Sequence, residues 1–146
     1  MRNSTYSIDI KASKHIVWDV LWDEDSYPEW TTVFSQNNHI ETNSWEKGSK
    51  ILFVNGNNDG MVAEIVDIRK ENSISFRHLG EVMNGVEDYT TDIAKKVAGS
   101  LEAYTLEEFH GITTLTVSID FDPEYKDYFD KTWPQALQKV KEISEL

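Results

Sequence analysis

Cysteine is absent from the 146 residues, which excludes disulfides, thiolate metal sites and a cysteine nucleophile together. Proline occurs only at positions 28, 123 and 134, and glycine seven times, so no flexible or proline-rich linker divides the chain. Nor does an internal repeat. The expectation is one domain over residues 1–146, long enough to enclose a core, or a core with a hollow in it.

Positive charge is scarce: 14 Lys and Arg face 26 Asp and Glu, a formal charge of −12. A nucleic-acid backbone or an anionic membrane surface would be repelled at long range, so neither is an expected partner. Long apolar runs are missing as well. No stretch of about 18 apolar residues exists to insert in a membrane, and the opening MRNSTYSIDI lacks the apolar centre of a signal peptide. A cytoplasmic location follows as an expectation, and the sequon Asn3-Ser4-Thr5 then has no consequence. There is no HExxH, glycine-rich phosphate loop or GxSxG elbow, and the histidines at 15, 39, 78 and 110 have no ligand spacing. Neither a metal nor a cofactor is expected. The stretch NGNNDG (55–60) starts like a calcium loop, but its twelfth position is Val66 rather than a bidentate Glu. It is read as a hairpin turn.

Aromatic residues, in contrast, are plentiful at 12%, far from the make-up of a disordered chain. STYSIDIK alternates Tyr6, Ile8 and Ile10 with polar neighbours and predicts a first strand. Ser13 then caps a helix whose stripe is Ile16, Val17, Val20 and Leu21, with Trp18 and Trp22 one turn apart beside it. Pro28 opens a short second helix. From about residue 37 to 121, six runs of β character, separated by Asn-Gly, Asp-Gly, Glu-Asn and His-Gly turns, complete a seven-stranded antiparallel sheet. The connections are too short for parallel crossovers. Asp122-Pro123-Glu124 marks the start of a C-terminal helix with the stripe Tyr125, Phe129, Trp133, Leu137, Val140 and Ile143. Pro134 predicts a kink in it, or a join between two helical pieces.

The stretches VWDVLWDEDSYPEW, GSKILF, GMVAEIVDI, FRHLGE, EAYTLEE and GITTLTV resemble the successive blocks of START-like (SRPBCC) domains. Within that superfamily the chain resembles the branch labelled activator of heat-shock-protein-90 ATPase homologue-like, or polyketide cyclase-like. The resemblance implies an α+β helix-grip fold: a curved antiparallel sheet wrapped around a long C-terminal helix, with two short helices between strands one and two. It also implies a cavity between the concave sheet face and that helix, where relatives hold lipids, sterols, polyketides or other apolar molecules. Some relatives are cyclases or other enzymes. Eukaryotic co-chaperones of the branch carry a separate N-terminal domain that contacts the chaperone, for which these 146 residues leave no room.

Elementary geometry points the same way, because one helix about 10 Å wide cannot fill a strongly curved sheet along its full width. Bulky side chains are the competing filler. In a strand over 74–79, Phe76 and His78 share a face. Regular alternation also puts Glu102 and Tyr104 together on the face of Leu106, unless a bulge intervenes. His78 would then meet a ligand, or else be a core residue tethered to a carbonyl or carboxylate. The candidate ligand-binding residues are Trp30, Phe53, Met61, Phe76, His78, Glu102, Tyr104, Phe129 and Trp133. A few polar anchors in an apolar wall are the usual make-up of a small-molecule pocket. Binding of a small hydrophobic molecule is the first reading. A cyclase- or hydrolase-type enzyme using His78 with Glu102 or Tyr104 is an alternative, and a chaperone-interacting module is another; no protein partner is identified. The segment 81–100 is long for a hairpin connection. It is either a cover for the cavity mouth, with a helical turn around 90–97, or a solvated insertion.

Overall fold

A computed structural model describes residues 1–146. The alternating first segment forms β1 (Arg2–Ile10), and the Ser13 hydroxyl caps α1 (Lys14–Trp22) by accepting the Ile16 N–H. Val17, Trp18, Val20 and Leu21 turn inward, while Ile16 stays 44% exposed, outside the stripe expected of it. One turn later comes α2 (Tyr27–Trp30), with Pro28 at its start and Tyr27 and Trp30 buried. The remaining strands are β2 (His39–Thr42), β3 (Lys50–Val54), β4 (Gly60–Arg69), β5 (Ser73–Met83), β6 (Val86–Asp88), β7 (Leu101–Phe109) and β8 (Ile112–Phe121). A six-residue helix, α3 (Asp92–Val97), lies between β6 and β7, and the long α4 (Lys126–Ser144) ends the chain.

All pairings are antiparallel, in the order β1-β8-β7-β5-β4-β3-β2, with β6 paired to β5. The sheet is therefore eight-stranded, one more than expected, because the 81–100 segment folds three residues back onto the end of β5. Local turn chemistry sets the registers. His110 (φ 51°) and Gly111 (φ 78°) both take positive φ between Phe109 and Ile112, the conformation a two-residue hairpin requires. In the NGNNDG turn, the Asn55 side chain accepts the Asn57 and Asp59 N–H groups, so its oxygen closes a hairpin.

The concave face carries the core, a cluster of 21 buried residues that joins α1, α2 and α4 to β1, β3, β4, β5, β7 and β8. Two register shifts bend the pairing of β4 with β5, one between Val62 and Ala63 and one between Ile65 and Asp67. Each bulge raises the local twist. Helix α4 grips the sheet through both ends. Near its start the Tyr6 hydroxyl donates to Asp130 (2.8 Å) and the Tyr6 ring stacks on Trp133. At its end the Lys11 N–H donates to Glu145 (2.8 Å).

Two expectations about α4 are corrected. Asp122 caps a 3-10 turn (Pro123–Tyr125) by accepting the Glu124 N–H, and the α-helix proper starts at Lys126. The join expected at Pro134 does not occur: α4 runs through it unbroken. Pro134 lies on the exposed face, and the carbonyl it cannot pair belongs to the equally exposed Asp130, where water meets the need. No helix is long and apolar enough to cross a membrane.

Candidate functional site: a two-lobed hollow under the C-terminal helix

The buried part of α4 is its middle and C-terminal half, where Ala136, Leu137 and Val140 meet α1 and β1. Its first turns bury less, and beneath them the sheet is left partly uncovered. The hollow has two lobes, one of about 380 Å³ and one of about 340 Å³, each within the usual range of ligand pockets. Met61, His78, Glu102, Phe129 and Trp133 line both lobes, so the two adjoin. The first is closed by α2 and the turn after it (Tyr27, Trp30, Phe34) and by Phe53 and Met83. The second is closed by Ile93, Lys96 and Val97 of α3, by Ile119 and Phe121, and by Tyr125 and Tyr128.

His78, Glu102 and Tyr104 meet on this wall. Glu102 and Tyr104 are two residues apart on β7 and point the same way. Phe76 of β5 pairs with Glu102, which brings His78 alongside. His78 is clamped through its backbone, donating to the Ser100 carbonyl (2.9 Å) and accepting from the Gly99 N–H (2.8 Å). Immediately after it, Leu79 is the extra residue of the bulge opposite Val62 and Ala63. The parity of β5 reverses there. Glu81 and Met83 therefore line the hollow, while Val82 joins Val54, Val62 and Leu79 in a separate cluster on the other face.

The polar trio has defined partners. His78 Nε2 stands 3.2 Å from one Glu102 oxygen, and the Tyr104 hydroxyl donates to the other. Both side chains of this pair are mostly covered, His78 being 13% and Glu102 21% exposed. Burial holds the Tyr104 hydroxyl well above the ordinary tyrosine value, and the neighbouring Glu102 carboxylate adds to the shift. Tyr27 is raised for the same two reasons, burial first. Tyr104 thus keeps its proton and serves as a donor at any physiological pH. An ionised Glu102 accepts only, so the His78 nitrogen facing it carries the hydrogen, and in neutral imidazole Nδ1 then offers a lone pair. That Nδ1 is buried and has no partner. Trp133 is in the same position, its indole N–H buried and unpaired. Two of the residues common to both lobes therefore carry a nitrogen that the protein itself does not satisfy, and each such group costs about 1–3 kcal/mol while unpaired.

Of the nine candidate residues, eight line the hollow: Trp30, Phe53, Met61, His78, Glu102, Tyr104, Phe129 and Trp133. Phe76 does not. It is fully buried beneath the lining, edge-on to Phe53 (5.1 Å) and Trp22 (5.5 Å), because the α1 tryptophan covers it from the helix side. Trp30 is a fixed wall whose indole N–H already donates to the Leu21 carbonyl at 3.0 Å. Sequence reasoning missed Tyr27, Phe34, Glu81, Met83, Ile93, Tyr125 and Tyr128. For Glu81 and Met83 a signal existed: Gly80, isolated inside a strand pattern, hints at a bulge nearby. The 81–100 segment does carry the helical turn expected around 90–97, and its α3 forms one wall of the second lobe. No three His, Asp or Glu side chains converge as a metal-ligand set.

No protein-family model and no curated protein sequence matches the chain. Solved structures do. The Aha1 dimer from Colwellia psychrerythraea superposes with a TM-score of 0.70 at 17% identity, over 100% of this chain and 98% of that one. DynU16, from the dynemicin biosynthetic locus, gives 0.69 at 16% identity over 96% of this chain, which spans only 46% of that longer protein. CalU16 from Micromonospora echinospora gives 0.65 at 15% identity, covering 98% of this chain and 76% of that one. At such identities the shared property is architecture: a helix-grip fold, with an antiparallel sheet wrapped around α4.

Proposed function

We propose that the protein binds a small, largely apolar molecule in the two-lobed hollow, with one polar group of that molecule directed at the His78–Glu102–Tyr104 wall. The observation that carries this reading is the pairing of a mainly aromatic and aliphatic lining with the polar side chains of His78 and Glu102, which reach both lobes. A guest with a hydroxyl or carbonyl finds a polar wall there, and its apolar body gains about 25 cal/mol for each Å² withdrawn from water. The likeness to a protein of a biosynthetic locus agrees with this reading. Lipids, sterols and aromatic polyketides are the classes to screen, by native mass spectrometry and thermal shift. A saturable one-to-one complex that raises the melting temperature, and is weakened in His78→Ala, supports the proposal. Failure of every class to bind, with the folded protein verified, rejects it.

A second reading, acid–base chemistry in the same hollow, draws on the His78–Glu102 contact. An imidazole in the wall of the hollow with a carboxylate beside it is a pairing suited to proton transfer. Turnover of a bound guest that is abolished in Glu102→Gln, while binding persists, separates the two readings.

A further inference from the structure

A separate cavity, of about 370 Å³, shares no lining residue with the hollow. Its walls are indoles. Trp18 and Trp22 project from α1, and Trp45 comes from the loop between β2 and β3. Trp22 is the hinge of the three: Trp18 stands at 72° to it with ring centres 6.4 Å apart, and Trp45 at 50° and 5.8 Å. Rings so inclined form successive walls rather than a stack. Trp22 is also held from behind by Tyr104 (4.9 Å) and Phe76 (5.5 Å), so this wall is rigid. Trp45, in contrast, is 37% exposed. A large aromatic has no packing reason to stay at the surface there.

The rim is acidic. Asp19 and Asp23 lie on it, with Glu24 and Asp25 next in the chain. Asp23 shows the resulting potential: burial raises its carboxyl above the ordinary aspartate value, and Asp19, Asp25 and Glu24 push it in the same direction. Two basic groups are nearby. His15 is engaged by Glu71 (2.6 Å) and Asp19 (3.4 Å). Lys70 lies on the rim, exposed and without an ion pair.

We infer that this cleft is a binding site for a small organic cation of the quaternary ammonium type. Indole faces attract a diffuse positive charge through the ring quadrupole. Carboxylates at the rim add attraction without demanding the directed hydrogen bonds that a quaternary nitrogen cannot donate. A phosphate or carboxylate ligand would be repelled by the same rim, and an uncharged apolar guest would forgo the charge complementarity. Lys70 is the built-in competitor, a like charge on a flexible stem beside the opening.

The probe is choline, with 3,3-dimethylbutan-1-ol as its uncharged carbon isostere and equimolar sodium chloride as the salt control. The readout is the set of five tryptophan indole N–H resonances in a nitrogen-15 correlation spectrum, one from each of the five Trp. Choline is expected to shift the Trp22 and Trp45 signals saturably and leave Trp30 and Trp133 in place. Trp45→Ala is expected to weaken binding by about threefold or more. Asp23→Asn weakens it as well, and Lys70→Ala strengthens it. Trp45 and Lys70 are exposed, so neither variant endangers the fold. Equal binding of the isostere, a linear shift of all five signals, or unchanged choline binding in Trp45→Ala would each overturn the inference. The hollow plays no part in any of these outcomes.

Discussion

The Tyr104 hydroxyl donates to Glu102 two residues earlier on the same strand, and that strand places both side chains under α4. The bond is buried on the tyrosine side, since Tyr104 is only 2% exposed. Removing the acceptor should therefore cost more than removing the donor. Glu102→Ala strands a buried hydroxyl and is expected to lower stability by about 1–3 kcal/mol, whereas Tyr104→Phe loses one net hydrogen bond, about 1 kcal/mol. The double variant should fall short of the sum. Urea unfolding of all three checks this, and strictly additive losses would show that the pair is not coupled.

Gly60 begins β4 pressed against the partner strand. A Cβ built on it would sit 1.8 Å from the Phe53 carbonyl oxygen, a backbone atom that cannot step aside. Gly60→Ala is expected to reach or exceed the top of the usual range for point substitutions, about 3 kcal/mol. Gly48 makes the useful contrast, with open space around the same position but a φ of +89°. There the penalty is conformational alone, on the order of 1 kcal/mol. Chemical denaturation of the two alanine variants ranks them.

Leu137 and Tyr128 separate packing from lining along one helix. Leu137 is buried in the core, and Leu137→Ala is expected to cost about 2–5 kcal/mol through the cavity it leaves. Tyr128 is 44% exposed and lines the second lobe. Tyr128→Ala should leave stability within about 0.5 kcal/mol while reducing the thermal shift given by any guest of the hollow. A large stability loss in Tyr128→Ala would make it a packing residue instead.

The pH response should have two distinct arms. Asp130 is held below the ordinary aspartate value by its hydrogen bonds to Lys126 and then Tyr6, and Glu145 below the ordinary glutamate value by the Lys11 N–H and then Lys141. A carboxylate lowered in the folded state contributes stability above its unfolded pKa, near 3.8 for Asp130 and 4.5 for Glu145, and loses it as the pH falls through the folded value. His15 is raised above 6.5, first by its hydrogen bond to Glu71 and then by Asp19. Its contribution is complete below 6.5 and fades as the pH rises through the folded value. Melting temperature against pH should thus drop below about pH 4 in the native chain, less steeply in Glu145→Gln. His15→Gln should flatten only the neutral arm. All three groups lie at the surface, so added salt should shrink both arms.

Much of the architecture is legible along the chain because it rests on local chemistry. Alternation in STYSIDIK, the Ser13 cap, the His110-Gly111 turn and the stripe of α4 each depend on residues a few positions apart, and the structure follows them. The same locality made it possible to group Glu102 with Tyr104, since β7 runs without a bulge in its pairing to β8. It failed at β5. The extra residue at Leu79 reverses the strand's parity and brings Glu81 and Met83 to the hollow in place of Gly80 and Val82. At Phe76 alternation chose the right face, but the ring is covered in the core there and does not reach the hollow. No local rule reports that Trp22, 54 residues earlier in the chain, lies over that ring.

What the amino-acid order determined by itself is most of the succession of elements, most of the inward stripe of α1 and α4, and the absence of thiol chemistry. Whether His78 reaches Glu102, whether α4 fills the sheet or leaves a hollow, and which three tryptophans gather into a cleft were decided only by tertiary packing. The physical reason is one of range. Strand and helix periods act over a few residues, whereas sheet curvature and helix placement are settled by contacts made across the whole chain, where a single extra residue redirects every side chain beyond it.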